Sequence, residues 1–294
     1  MKRSPRPNLV IAEDRASEGT IPGPAEWPLW ALLALFLASG CSALIYEILW
    51  FQMLELVVGS SALSLGILLG TYMGGMCLGS LLLPRWVARR EHPIRVYALL
   101  ELGIAALAIV VYFAVPLVGQ VSAGGGGQGL WGILLRAAVA CLCLLPPTML
   151  MGATLPAISR WVESTPRGVS WLGALYSSNI VGAIFGCLLA GFHLLRLYDL
   201  IVSLLVAVAL NVLAGLFGLL LARRTPYEGT ARAPARATAP VRPGVAHVVI
   251  AISGLCALGG QVVWTRILAL LLGATVYTFS IILGVFLFGL GLGS

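Results

Sequence analysis

Glu47, Glu101, Arg136 and Asn179 stand inside long apolar runs, where an ionisable or amide side chain is costly and needs a reason. At ~1.5 Å of helix per residue, Glu47 falls ~27 Å along a run starting near Pro28. Arg136 falls ~9 Å into a run starting near Leu130. With alternate runs crossing in opposite senses, acid and base reach similar depth near one side. An ion pair between them would hold two helices together, and the same charges would also serve as a gate on a transport path. Glu101 lies ~9 Å into its run and Asn179 ~12 Å into another from the same side, with Thr154 of "MGATLP" nearby in depth. A carboxyl group beside an amide and a hydroxyl binds a cation or relays a proton, or else merely snorkels or caps a broken helix. Asn211 in "ALNVLAG" reads as a single interhelical hydrogen bond.

Other chemistry finds little footing. There is no nucleophile–base pair, so no catalytic residue is assigned. There is also no metal-ligand set and no cofactor motif in a fitting context. "GGGGQG" at 124–129 contains GxGxxG, but no strand precedes it, so a dinucleotide fingerprint is not implied. His193 reads as an interfacial side chain. The six cysteines (Cys41, Cys77, Cys141, Cys143, Cys187 and Cys256) all fall in apolar runs and read as buried, inert thiols.

The elements that must position these groups follow from composition. The chain is 60% apolar and 10% charged, with mean hydropathy +1.00, against about 25% charged residues in a soluble domain. Its runs exceed the ~20 apolar residues that cross a bilayer. The expected fold is an all-α polytopic membrane protein whose first partner is the lipid bilayer. Eight segments are predicted, at about 28–51, 60–83, 95–119, 130–158, 171–195, 197–221, 245–271 and 275–294. The net charge of +7 does not point to nucleic acid. Of the 18 basic residues, 15 flank alternate segments, which is the positive-inside pattern and places the N-terminus in the cytoplasm. "ASGC" at 38–41 resembles a weak lipoprotein cleavage site, but Ser-Gly recurs at 253–254, so the first segment is read as a retained helix.

That recurrence is an internal repeat. Residues 39–80 and 253–294 share 15 of 42 positions without a gap, among them Trp50 with Trp264 and Gly59 with Gly273. Six segments separate the two starts, so both copies enter the membrane in one sense, as parallel repeats do. The expected organisation is a disordered cytoplasmic tail at 1–26, a six-helix half at 27–222, a cytoplasmic linker at 223–244 and the start of a second half at 245–294. The last segment ends at "FGLGLGS", which suggests a truncated fragment of a longer protein. The copies are electrostatically unequal: Gln261 stands for Glu47, and Arg266 for Gln52. Gly66, Gly70 and Gly74, and Gly75 with Gly79, have the four-residue spacing that lets helices approach closely. Pro146, Pro147 and Pro156 predict a kinked segment that either lines a cavity or simply packs.

The ordered set "SGCSALIYEILWFQMLELVVGSS", "YMGGMCLGS", "RVYALLELGIA", "LPPTMLMGATLP" and "LYSSNIVGAIFGCLLAGFHLL", with the second copy, resembles the membrane portion of fused major-facilitator/spermidine-synthase-like proteins of bacteria. The resemblance covers residues 28–294. It implies a major-facilitator-like arrangement in the bacterial inner membrane and, in the full-length protein, a C-terminal soluble aminopropyltransferase-like domain. No residue of such a domain is present, so no catalytic role carries over. "PRWVARR" at 84–90 is a degenerate facilitator loop, with Pro84 where an acid is usual. The resulting expectation is a module that transports or shelters a polyamine-related or other cationic small molecule, contacted by Glu47, Glu101 and Asn179, with Arg136 pairing Glu47. The alternative is a non-transporting anchor for the enzyme domain.

Overall fold

The computed structural model describes residues 27–86, 91–125, 130–162, 168–225, 243–273 and 275–293. All regular structure among them is helical. The helices are α1 (Trp27–Val58), α2 (Ser61–Trp86), α3 (Pro93–Gly125) and α4 (Leu130–Val162). Next comes α5 (Gly168–Leu189), which runs on through a π-helical turn at Ala190–Leu194 to Leu197. Then follow α6 (Leu200–Arg224), α7 (Pro243–Leu272) and α8 (Val276–Gly293). Among the described residues, eight spans are long and apolar enough to cross a membrane, one for each predicted segment. The chain is an all-α polytopic membrane protein. The tail at 1–26 and most of the expected linker, 226–242, lie outside the described residues, while α6 and α7 extend into the linker's two ends.

The hydrophobic period does not by itself position these helices, because they are apolar on every side, as membrane helices are. Packing rests on small residues and interhelical hydrogen bonds instead. α1 is the central element and lies most extensively against α5. A Cβ at Gly40 would collide with the Asn179 carbonyl, one at Gly182 with Leu37 O, and one at Gly186 with Cys41 O. The two backbones are therefore in direct contact. Ser178 Oγ donates to Leu33 O at 2.7 Å across the same seam. α2 lies against α4 in the same way: Gly79 faces Met149 O and Gly152 faces the Met76 backbone.

Of the two glycine series in α2, only Gly75 and Gly79 pack. Gly66, Gly70 and Gly74 meet open space. The proline-bearing α4 packs on α2 and α3 and contributes no residue to the cavity described below. The cysteine reading needs correction as well. Cys41 and Cys187 are buried, but Cys77 and Cys256 are exposed on α2 and α7, because those helices present one face without a protein neighbour.

The repeat is visible in the backbone. α1 ends at Val58 and α7 at Leu272, at the same register of the two copies, and each is followed by a glycine in the left-handed region. Gly59 has φ +78° and Gly273 φ +93°, the conformation that closes a helix when no Cβ is present. The side-chain environments have diverged. Trp50 is buried at 1% exposure, whereas its counterpart Trp264 is 55% exposed.

Candidate functional site

Glu101 is fully buried, but its partners differ from those expected. Ser39 of α1 donates to Oε1 at 2.6 Å, and Asn211 Nδ2 of α6 donates to Oε2 at 2.7 Å. Tyr97, one turn back on α3, donates to Leu35 O at 3.2 Å and lies beside the carboxyl. The expected trio of Glu101, Asn179 and Thr154 does not assemble. Asn179 donates to Phe36 O at 3.2 Å and belongs to the α1–α5 seam, while Thr154 bonds back to Met151 O on its own helix. Asn211 does make the interhelical bond that its mid-depth position predicted.

The proposed Glu47–Arg136 pair is not formed. Arg136 donates from Nε to Gly132 O at 3.1 Å and from NH1 to Val57 O at 3.3 Å. Val57 lies ten residues beyond Glu47 on α1, which is ~15 Å of helix. Arg136 therefore holds the ends of α1 and α4 together, well away from the acid.

Glu47 is 3% exposed, and its Oε1 is buried without a hydrogen-bond partner among the described residues. Tyr72 donates its hydroxyl to Ala43 O, one turn before Glu47 on α1, and Cys187 donates its thiol to Ser280 O. Ser280 Oγ, fully buried on α8, also has no partner among the described residues. The π-helical turn of α5 lies here too, with Gly191 directly against the Ser280 side chain. Such turns recur at functional sites because they re-aim side chains and release backbone groups. Among the four sequence candidates, Glu47 alone keeps an unused acceptor in the dry interior.

Sequence reasoning missed a cavity of about 330 Å³ between the α1–α2 pair and the α7–α8 pair, beside both glycine turns. Its walls are related by the repeat. Phe51 and Thr265 occupy equivalent positions in the two copies, as do Gln52 and Arg266, Glu55 and Ala269, and Leu65 and Phe279, and all eight line it. The pairs 48/262 and 62/276 complete the set. Its centre therefore lies on the axis relating the copies. Stacking of Phe51 on Phe279 at 4.5 Å between centroids closes one side. The available signal was the inequality of Gln52 and Arg266, which was legible, but nothing in the sequence said that both positions face one space.

No family model matches the chain, and no curated protein or solved structure matches it.

Proposed function

We propose that the chain is the membrane module of a bacterial inner-membrane protein, N-terminus in the cytoplasm, that carries or shelters a small cationic metabolite of the polyamine class. The observation behind this reading is Glu47, a carboxyl group in the apolar interior with an oxygen that no donor among the described residues satisfies. A buried polar group left unpaired costs several kcal/mol in hydrocarbon, and an ammonium ligand would remove that cost. The sequence resemblance supports the polyamine class, and the basic residues flanking alternate spans support the orientation.

Uptake of labelled putrescine and spermidine by vesicles containing the purified chain tests it. Glu47→Gln should lower uptake at least tenfold while leaving the protein monodisperse and helical. Uptake unchanged by this substitution, or no uptake of either amine, would overturn the carrier reading.

The anchor for a C-terminal enzyme domain has its own support. Glu101, Asn179 and Arg136 are all engaged in bonds that tie helices together. Under that reading neither amine moves or binds, and Glu47→Gln changes stability alone.

A further inference from the structure

We infer that the cavity on the repeat axis is a binding site for a small zwitterion with an apolar body, its ammonium toward Glu55 and its anionic group toward Arg266. Glu55 and Gln52 lie one helical turn apart on the α1 wall, whereas Arg266 and Thr265 lie on the α7 wall. The repeat makes the contrast informative. Where α1 carries the acid, α7 has Ala269, and where α7 carries the base, α1 has neutral Gln52. One pole of each sign has thus been set on opposite sides of the space.

A second observation points to a ligand. Thr265 is 7% exposed, lines the cavity, and its Oγ1 is buried with no partner among the described residues. A threonine hydroxyl inside a helix ordinarily bonds back to the preceding turn, so an unpaired one at a cavity wall is an open donor and acceptor. It sits next to Arg266, where an anionic oxygen would arrive. Of the remaining lining, Thr275 and Thr278 bond to each other at 3.1 Å, and Ile48, Phe51, Val262 and Ile282 present apolar surface. A cavity of about 330 Å³ with few convergent polar groups and apolar walls matches the form of small-molecule sites.

Two sources present this chemistry: a free amino acid with a large apolar side chain, and the headgroup of an ethanolamine phospholipid. The site is separate from Glu47 and does not depend on the cationic-metabolite reading. Its test therefore uses other probes and other variants.

Binding of labelled L-phenylalanine to the full chain in a neutral detergent is measured, with phenethylamine and phenylacetate as amine-only and anion-only probes. Retention of phosphatidylethanolamine against phosphatidylglycerol is measured by native mass spectrometry. Phenylalanine should bind at least tenfold more tightly than either half-probe, and Glu55→Gln and Arg266→Gln should each weaken it at least tenfold. Thr265→Val should weaken it less. Selective retention of the ethanolamine lipid, lost in both charge variants, with phenylalanine unbound, supports the zwitterion site and assigns it to a lipid. The inference fails if neither zwitterion binds, if a half-probe binds as tightly, or if both charge variants bind like the parent. Arg266→Gln makes the two walls alike at that position and Glu55→Gln keeps the side-chain shape. An unchanged unfolding midpoint in each variant shows that the loss is local.

Discussion

Glu101 is held by donors from two other helices, Ser39 on α1 and Asn211 on α6, so one carboxyl group fastens three spans at a single depth. Interhelical hydrogen bonds in membranes average only about 0.6 kcal/mol, but losing a donor leaves a buried oxygen unsatisfied, which costs about 1–3 kcal/mol. Asn211→Leu should therefore destabilise the protein by about 1–3 kcal/mol, read as a lowered thermal midpoint in mild detergent. Ser39→Ala in the same background should cost less than the two single effects added, because both act through Glu101. Additive losses would show that the two donors serve Glu101 independently. The depth of Glu101 was legible from its position in its run, but its partners were not. Rise per residue gives height along a helix, whereas the rotation that chooses Ser39 and Asn211 over Asn179 is set by the close contact of α1 with α5. Arg136 failed for a related reason: a long side chain reaches the nearest carbonyls, and α1 runs seven residues further than expected, to Val58, which brings Val57 O within reach.

Glycine spacing is the clearest case at the level of elements. Both series in α2 satisfy the same four-residue rule, yet one lies on the α4 backbone and the other on open space. Spacing shows that a helix is able to pack closely on a face, not which face receives a neighbour. The difference is measurable. Gly79→Ala and Gly182→Ala each drive a methyl into a backbone carbonyl that cannot swing away, and should cost about 1–3 kcal/mol, as overpacking does. Gly70→Ala meets nothing, and alanine's better helix propensity should leave the midpoint equal or raised by up to about 1 kcal/mol. Thermal unfolding of the three variants side by side decides it, and equal losses would mean that the seams are not where the backbone contacts lie. The existence of each helix was readable from hydropathy alone, because eight apolar runs of bilayer length admit little else. The π-helical turn at Ala190–Leu194 left no such trace, since it arises where α5 meets α8.

For the whole molecule, the repeat sets the direction of every span. α1 passes the cavity and turns back at Gly59, and α7 passes the same cavity and turns back at Gly273. Two hairpins that reverse beside one space reverse at one end of the molecule, so the two copies run in the same sense. The sequence implied this through the even number of segments between copies, and the shared cavity is an independent geometric reason for it. Embedded in a bilayer, both turns must emerge on one face and the C-terminal end of α6 on the other. Single cysteines at Ser60, Thr275 and Arg224, in a chain whose six native cysteines are replaced by alanine or serine, report this directly. A membrane-impermeant maleimide added to intact cells should label the Ser60→Cys and Thr275→Cys proteins alike. Arg224→Cys should label only after the membrane is opened. The orientation proposed from the basic residues flanking α2, α4 and α6 would put the α1–α2 and α7–α8 turns outside. Labelling of Ser60 and Thr275 from opposite faces would break the parallel relation and remove the repeat axis through the cavity. Labelling of both only after opening would keep that axis and invert the orientation in the membrane.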